Sequence, residues 1–359
     1  MKRIGVLTTG GDCSGLNTAI WRIMRGAHLR GWHVFGIIDG TDGLASSPVR
    51  FIELNENVLP AEMAHLAGSF LHNGHAGALN FETAAHRGTL SAFNKKLYNS
   101  IREMKLDAVV LIGGNGSLSL AWENREIYRD VQLVCIPKTI DMDIPLTDRT
   151  IGFDTAVEQL TGVCDQLMLT ARSHHRWFVI QSMGRGCGQL ALNAGIAAGA
   201  SAILIPEIKF NVNSLIKHIK NAPQDYGIIM VSEGISLRGH SGRPADMIAR
   251  QLTAAGIPNR TAFPEHIQRA GDTTASDRLL ATAMADAALN AIENNETYVM
   301  TALQNGIVKT VSLAEFANAG ECVVDPNIHQ LKTSNAYVSF DDPLLGIAHD
   351  MGIYIGEIK

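Results

Sequence analysis

The chain carries little charge for its length and no strongly basic region. Of its 359 residues, 18% are charged, and the formal net charge is −5. Proteins that bind nucleic acid need a basic face that neutralises phosphates, so the composition argues against that class, and we expect no nucleic-acid partner. A mildly acidic protein can still bind a phosphate group through local arginines and backbone N–H groups.

Cysteine is scarce, and long apolar runs are absent. The five cysteines are scattered, with no Cys-x-x-Cys pair and no His/Cys cluster at zinc spacing. We therefore expect free thiols in a reducing compartment. No stretch has the length of a membrane span, and Met1–Arg3 lead into an apolar run too short for a signal sequence. Together these features predict a cytoplasmic protein with no membrane partner.

Hydrophobic residues make up 46% of the chain, which is enough for a large core, and the length suggests about two domains. Short apolar runs without polar alternation are separated by longer helix-like stretches. Such runs are typical of parallel strands that helices cover on both faces, so the sequence predicts an α/β fold with mostly parallel sheets. The predicted strands are residues 4–8, 34–38, 108–112, 133–136, 177–181, 202–205 and 228–231.

Loops rich in glycine or threonine follow three of these predicted strands, at residues 8–12, 113–117 and 137–139. Ligands of open α/β sheets bind at the carboxyl ends of strands, so we expect one shared pocket. A glycine pair before a helix lets the backbone approach a phosphate and offers unpaired N–H groups; a tight structural turn is the alternative. Neither loop is a Walker loop or a GxGxxG fingerprint, which disfavours a dinucleotide oxidoreductase.

Two aspartates, Asp141 and Asp143, follow Lys138 and Thr139 with one residue between them. In an extended stretch, residues i and i+2 point the same way, so we expect both carboxylates at one site, where Lys138 or a bound cation keeps them ionised. Phosphoryl transfer to an alcohol needs a carboxylate that accepts the hydroxyl proton. Asp141 is the candidate base and Asp143 its orienting or cation-side partner. A polar turn before Pro145 explains the same spacing equally well.

The order of these and further motifs resembles the phosphofructokinases of the bacterial type. Seven blocks match in order over most of the chain: residues 10–17, 113–117, 137–143, 183–188, 232–234, 260–269 and 277–278. The resemblance implies two doubly wound three-layer domains with mostly parallel sheets and an active-site cleft between them. Residues 1–152 plus 267–318 would form the donor domain, and residues 153–266 plus 319–359 the sugar-phosphate domain.

The resemblance also implies a reaction: transfer of a phosphoryl group from ATP, with Mg²⁺, to the 1-hydroxyl of fructose 6-phosphate or a closely related ketose phosphate. Asp141 would be the base, with Thr139, Asp143 and Lys138 beside it. Arg176 and Arg260 would come from a neighbouring subunit of a homodimer or homotetramer. The implied donor-phosphate residues are Gly11, Asn115, Gly116 and Ser117, the sugar-phosphate residues are Arg176, Met183, Gly184, Arg185, Glu233, Arg260, His266 and Arg269, and the metal ligands are Asn115 and Asp143.

The chain departs from the family pattern near the site. Asn115 replaces a magnesium-side aspartate, Met142 replaces an asparagine, and Leu71 aligns with an arginine aimed at the transferred phosphate. Gly116 leaves room for the α-phosphate of a nucleotide and favours ATP, whereas Lys138 is the residue of pyrophosphate users. The mixed Gly/Lys combination also occurs in a branch of the family that uses ATP, and the chain resembles that branch. Two alternatives stay open: a pyrophosphate-dependent phosphofructokinase, and a sugar-phosphate-binding relative with weakened catalysis.

Overall fold

The computed structural model describes residues 1–74, 87–236, 242–319 and 338–357. By internal contacts the chain divides into two compact units. The first unit comprises Met1–Thr139, Ile144–Gly152 and Gly271–Gly320, and the second comprises Ile140–Asp143, Phe153–Ala270 and Glu321–Lys359. The segment that carries both aspartates therefore packs with the second unit. Among the described residues, no helix has the length and apolar character needed to cross a membrane.

Strands and helices alternate along the chain, and each predicted strand coincides with an observed one, so the α/β class is confirmed. The strands are β1 (Arg3–Thr8), β2 (His33–Ile37), β3 (Phe51–Glu53), β4 (Ala108–Gly113), β5 (Gln132–Pro137), β6 (Trp177–Ser182), β7 (Ala202–Leu204), β8 (Gly227–Ser232), β9 (Asn259–Ala262), β10 (Val299–Gln304) and β11 (Ile307–Ser312). The helices are α1 (Leu16–Leu29), α2 (Gly40–Leu44), α3 (Arg87–Glu103), α4 (Asn115–Glu123), α5 (Phe153–Ser173), α6 (Gln189–Ala197), α7 (Val212–Lys220), α8 (Pro244–Ala254), α9 (Ala275–Glu293), α10 (Leu313–Asn318) and α11 (Pro343–Asp350), with 3-10 helices at Ala61–His65, Arg125–Tyr128 and Glu265–Arg269.

The first unit contains a seven-stranded sheet in the order β11-β10-β5-β4-β1-β2-β3. Its five central strands are parallel, and the two edge strands pair antiparallel. The apolar-run criterion missed the edges because β3 has only three residues and β11 is partly exposed. A tight turn with positive φ at Asn305 and Gly306 closes the β10–β11 hairpin, as two-residue hairpin loops require.

The second unit contains a four-stranded parallel sheet in the order β7-β8-β6-β9. All six residues of β8 are buried, which fits a central strand covered on both faces. The sequence pattern missed β9, because this edge strand consists of Asn-Arg-Thr-Ala and is only partly buried.

The adjacency of β5, β4 and β1 positions the loops of interest. These strands are parallel neighbours, so their carboxyl ends lie at one edge of the sheet. Behind them, α1 presents a buried stripe to α9 that includes Ile20, Ile23 and Ala27, at the spacing of one helix face. The loops after β1, β4 and β5 are thus held on a rigid base.

Candidate active site

The loops after β1 and β4 pack against each other in the first unit. The amide of Thr9 donates to the carbonyl of Ile112 at 3.0 Å, and the amide of Lys138 donates to the carbonyl of Gly113 at 2.8 Å. A Cβ atom at Gly113 would lie 2.5 Å from the Cβ of Ser117, so only glycine permits this approach. The structure brings the three predicted loops together, and we call them the donor half-site after the role that the sequence predicts for them.

The side chain of Lys138 connects these loops through hydrogen bonds. Its side chain is buried, with 3% exposure, and its Nζ donates to the carbonyl oxygen of Thr9 at 3.2 Å and to that of Gly11. The ammonium group therefore holds the Gly10-Gly11 turn in shape and places a positive charge beside it. Thr139, the next residue, joins the same framework, because its carbonyl accepts from the Thr150 hydroxyl at 2.7 Å.

Replacing Lys138 with methionine should loosen the donor half-site. The carbonyls of Thr9 and Gly11 would lose their charged donor, at a cost of about 1–3 kcal/mol in the free energy of unfolding. We expect the KM for the phosphoryl donor to rise by about tenfold, while exposed Lys309→Met changes neither quantity. Thermal unfolding and steady-state kinetics measure both effects. A lower melting temperature with an unchanged donor KM would make Lys138 a purely structural residue.

Residues Asn115, Gly116 and Ser117 open helix α4. The Oδ1 of Asn115 accepts from the Ser119 hydroxyl at 3.5 Å. No heavy atom lies within 4 Å of a Cβ atom built on Gly116, apart from its own local backbone. The first turn of α4 thus has open space at this position, together with the N–H groups that a helix start offers to a phosphate.

Position 71 is one of the departures from the family pattern. Leu71 is fully buried; a Cβ atom at Gly36 would lie 2.4 Å from its Cδ2 atom, and its carbonyl accepts from the amide of Asp39 at 2.9 Å. Leu71 therefore packs in the core of the first unit, and the loss of an arginine at this position stays a prediction from the family pattern. His75 falls outside the described residues.

The second unit holds a separate cluster around Asp141. Asp141 has 7% exposure, and its Oδ2 lies 3.4 Å from the Nε of Arg185, whose side chain is 72% exposed. The amide of Arg185 donates to the Oε1 of Glu233 at 2.8 Å. A buried carboxylate thus meets an exposed guanidinium group and a second carboxylate, and we call this cluster the acceptor half-site after the role that the sequence predicts for it.

Its electrostatics suit a general base. Burial raises the pKa of Asp141 to about 6, and the neighbouring carboxylates of Asp143 and Glu233 also raise it, whereas Arg185 and Arg269 lower it. The pKa thus lies just below neutrality. At that value the carboxylate is still ionised at neutral pH, and it binds a proton more tightly than an ordinary aspartate does.

The backbone between the two aspartates is not extended, so the geometry from which their shared orientation was predicted is wrong. Met142 has a left-handed conformation with φ of 56°. Asp141 and Asp143 nevertheless interact electrostatically, because a tight turn rather than a strand brings them close. Asparagine adopts this conformation more readily than methionine does, so the methionine carries local strain that the family's usual asparagine would avoid.

The turn between β6 and α6, residues 183–188, carries Met183, Gly184 and Arg185. The amide of Met183 donates to the Oε1 of Gln268 at 3.1 Å. Gly184 has φ of 122°, and a Cβ atom there would lie 2.6 Å from the carbonyl oxygen of Cys187, so this close turn requires glycine. The Sγ of Cys187 lies 3.8 Å from the carbonyl oxygen of Met142, which links the turn to the aspartate pair.

The 3-10 helix Glu265–Arg269 contributes His266, which is exposed, and Arg269, which is partly buried and acts on Asp141. Sequence reasoning assigned no role to Gln268 between them. Gln268 is 1% exposed, and its Nε2 donates to the carbonyl of Glu265 at 3.1 Å. The only sequence feature that pointed to Gln268 is its place between His266 and Arg269. Its hydrogen-bond partners can be seen only in the folded structure.

Two predicted residues lie elsewhere in the second unit. Arg176 directly precedes β6, and Arg260 in β9 is in register with Phe178 near the amino end of β6. Met183 follows the other end of this strand, about 20 Å away at 3.3 Å per residue. Within one chain, Arg176 and Arg260 are therefore not part of the acceptor half-site.

Comparisons with known proteins show which family the chain resembles by sequence and by fold. The phosphofructokinase family model matches residues 3–292. The chain is 36% identical to ATP-dependent 6-phosphofructokinase 1 of Nostoc sp. (strain PCC 7120), covering 99% of both chains, and 35% identical to ATP-dependent 6-phosphofructokinase of Thermosynechococcus vestitus, covering 99% of this chain and 93% of that protein. The solved phosphofructokinase of Saccharomyces cerevisiae superposes with a TM-score of 0.79 at 26% identity, covering 89% of this chain and 46% of that one.

A match over most of the chain, by sequence and by fold, defines the class: this is an enzyme of phosphoryl transfer. The chain belongs to the phosphofructokinase family. The family and the enzyme class predicted from the sequence motifs are both confirmed.

Proposed function

We propose that this chain transfers the γ-phosphoryl group of ATP to the 1-hydroxyl of fructose 6-phosphate, giving ADP and fructose 1,6-bisphosphate in glycolysis in the cytoplasm. The observation that carries the proposal is Asp141, a buried carboxylate with a pKa raised to about 6 beside Arg185 and Arg269. The ATP-dependent 6-phosphofructokinases named above support this donor and this acceptor.

Each step of the reaction has a residue that suits it. Asp141 accepts the proton as the acceptor hydroxyl attacks phosphorus, and its raised pKa favours that transfer. The guanidinium group of Arg185 lies 3.4 Å from the same carboxylate. Its positive charge can therefore stabilise both the negative charge of Asp141 and that of an incoming phosphoryl oxygen. Glu233 accepts hydrogen bonds from sugar hydroxyls, and its Oε1 already accepts from the amide of Arg185.

The acceptor's existing phosphate needs cations that remain accessible. His266 is exposed and Arg269 is only partly buried on one 3-10 helix. A guanidinium group binds a phosphate through paired N–H bonds. We propose that these two side chains bind the 6-phosphate, which orients the sugar so that its 1-hydroxyl faces Asp141. Any ketose phosphate of matching length would satisfy this same pair.

One feature of the first unit favours ATP over pyrophosphate. The space beside Gly116 is open, so the helix start can admit the α-phosphate of a nucleotide.

Magnesium fits this site as an ion that arrives with the nucleotide. The described residues contain no group of three or more His, Cys, Asp or Glu side chains placed to hold a metal. Magnesium is usually bound by one or two carboxylates together with substrate phosphates, without an all-protein cage. We propose Asp143 and Asn115 as its protein ligands. When bound, the ion neutralises charge on the transferred phosphoryl group.

Chelation should therefore abolish activity without unfolding the protein. We expect excess EDTA to lower turnover by about 100-fold or more, and added Mg²⁺ to restore it, because the ion's charge stabilises the transition state. The melting temperature of the nucleotide-free protein should not change, since no metal cage supports the fold. Full activity in EDTA, or a fall in melting temperature, would contradict this assignment.

The positions of Arg176 and Arg260 can be explained if they belong to the sugar-phosphate site of a second copy of the chain. Within one chain they lie near the amino ends of β6 and β9, away from Met183 and Arg185. We propose that these two arginines reach the 6-phosphate bound by a partner chain, in a homodimer or homotetramer. The exposure of Arg260 supports this, because a guanidinium group on the outer face of its own unit is available to a neighbour.

A matrix of donors and acceptors tests the proposal. Purified protein is assayed with ATP or pyrophosphate, each with fructose 6-phosphate and with other ketose phosphates. We expect the highest kcat/KM with ATP and fructose 6-phosphate. Turnover with pyrophosphate alone would replace the donor, a better ketose phosphate would replace the acceptor, and binding without turnover would indicate a sugar-phosphate-binding relative.

A further inference from the structure

The turn at residues 183–188 is held at both ends by buried side chains that have no part in the reaction described above. At its start, Gln268 accepts from the amide of Met183 at 3.1 Å. At its end, the Oε1 of Glu207 accepts from the amide of Gly188 at 2.7 Å. Glu207 follows β7, far along the chain from the acceptor motifs, and no motif pointed to it.

Glu207 is an acid placed where acids are rarely found. It is 7% exposed, and its Oε2 is buried with no hydrogen-bond partner among the described residues. Besides the amide of Gly188, its carboxylate interacts with its own backbone amide and with the amide of Val338, which donates to Oε1 at 3.5 Å. Burial raises the pKa of Glu207 to about 7. Burying such a group costs stability unless it is well bonded, so its hydrogen bonds to backbone amides, with that from Gly188 at 2.7 Å, offset this cost.

The end of the turn is shaped to fit this carboxyl group. A Cβ atom at Gly188 would lie 2.5 Å from the Oε2 of Glu207 and 2.5 Å from the Cβ of Ile205. Gly188 lacks a side chain, which lets the acid approach the first N–H groups of α6. A carboxyl group at a helix start also interacts favourably with the helix dipole. The contact is therefore close, directional and specific to this pair.

Three contacts link the turn that contains Gly188 to the carboxylate of Asp141, so a shift of Gly188 would also move the groups around that carboxylate. The amide of Cys187 donates to the carbonyl of Gly184 at 2.9 Å, which closes the turn. The Sγ of Cys187 contacts the carbonyl oxygen of Met142, between the two aspartates. Arg185, on the same turn, lies 3.4 Å from Asp141.

We propose that Glu207 is a positioning residue of the acceptor half-site: by binding the amide of Gly188 it fixes the turn that places Arg185 against Asp141. The inference rests on the proposed function, since it assigns Glu207 to the same acceptor. We expect the hydrogen bond from the amide of Gly188, and not the negative charge of Glu207, to hold the turn in place. Because the pKa of Glu207 lies near neutrality, a neutral amide of the same shape should replace it well.

Glu207→Gln and Glu207→Ala separate these effects, with Glu158→Ala on the exposed surface of α5 as the control. A small misplacement of catalytic groups costs about 10–100-fold in rate, and we expect that loss in kcat/KM for fructose 6-phosphate in E207A. E207Q should remain within about threefold of the wild type, and the KM for ATP should change by less than about twofold in both, because the donor binds to other residues.

Amide hydrogen exchange over residues 183–190 tests the same contact without any substrate. Exchange should be faster in E207A and unchanged in E207Q. A wild-type kcat/KM for fructose 6-phosphate in E207A, or an E207Q variant as impaired as E207A, would overturn the proposal; if E207A does not fold, Glu207→Asp, which is one methylene shorter, takes its place. Failure of the wild type to use fructose 6-phosphate would instead count against the proposed function, and the exchange rates would still decide the role of Glu207.

Discussion

Asp141→Asn should lower kcat by about 10²–10⁴-fold, the usual contribution of a general base, while the KM for the sugar phosphate stays within about threefold. The amide keeps the size of the side chain but cannot accept the hydroxyl proton. Exposed Asp165→Asn on α5 is the matched control and should behave as the wild type. Steady-state kinetics on both variants give the comparison. A D141N variant with near-normal kcat would remove Asp141 from the chemistry.

The same variant also shows how much of the pH dependence of the reaction is due to Asp141. The pKa of Asp141 is raised to about 6, so kcat/KM should fall about tenfold per pH unit below pH 6 and reach a plateau above it. The phosphate of the acceptor also titrates near that pH. The residual activity of D141N supplies the reference, because it retains the substrate's titration and lacks the base.

The stability of D141N should change in the opposite direction to its activity. A carboxyl group whose pKa rises on folding destabilises the protein once it ionises, so the cost is absent below pH 4 and complete above pH 6. Removing the charge should raise the free energy of unfolding at neutral pH, on the order of 2–3 kcal/mol for a shift of about two units. Chemical denaturation at pH 4 and pH 7 tests this, and equal stabilisation at both would contradict it.

Gly116→Asp should lower kcat/KM for ATP by about 100-fold or more, through steric exclusion and charge repulsion of the α-phosphate. The fold should be unaffected, because no heavy atom lies within 4 Å of the added Cβ atom. Any turnover with pyrophosphate should fall less, since pyrophosphate does not extend into that space. Parallel assays with the two donors measure the change in their ratio.

Two controls sharpen this result. Gly162→Asp on α5 adds the same side chain where the space is also open, and it should leave the donor ratio unchanged. Gly116→Ala adds volume without charge and should produce a smaller loss with ATP. A G116D variant that used ATP as well as the wild type would show that residue 116 does not border the nucleotide.

The sequence predicted correctly that the three loops meet, because the signals for them are local. A glycine pair after an apolar strand specifies a turn, and parallel neighbours align their carboxyl ends whatever the rest of the fold does. The structure confirms that the loops carrying Gly11, Gly113 and Lys138 meet. Edge strands such as β3 and β9 were missed because they are short or polar and derive their order from the strand beside them.

Other features depend on tertiary structure and could not be predicted from spacing. The side-chain direction of Leu71 follows from its packing against Gly36, and the left-handed turn at Met142 replaces the extended geometry expected from the sequence. Gln268 and Glu207 act through backbone amides of Met183 and Gly188, which are distant in sequence. No residue pattern records such contacts, so only the fold shows them.

The central claim is that Asp141 accepts the proton of the sugar phosphate's 1-hydroxyl as that hydroxyl takes a phosphoryl group from ATP. Phosphorus NMR of a reaction containing ATP, Mg²⁺ and fructose 6-phosphate tests it most directly, with D141N in parallel. The account predicts equal amounts of ADP and fructose 1,6-bisphosphate from the wild type, and neither from D141N on the same timescale. ADP formed together with inorganic phosphate and no sugar bisphosphate, or equal product from D141N, would contradict it.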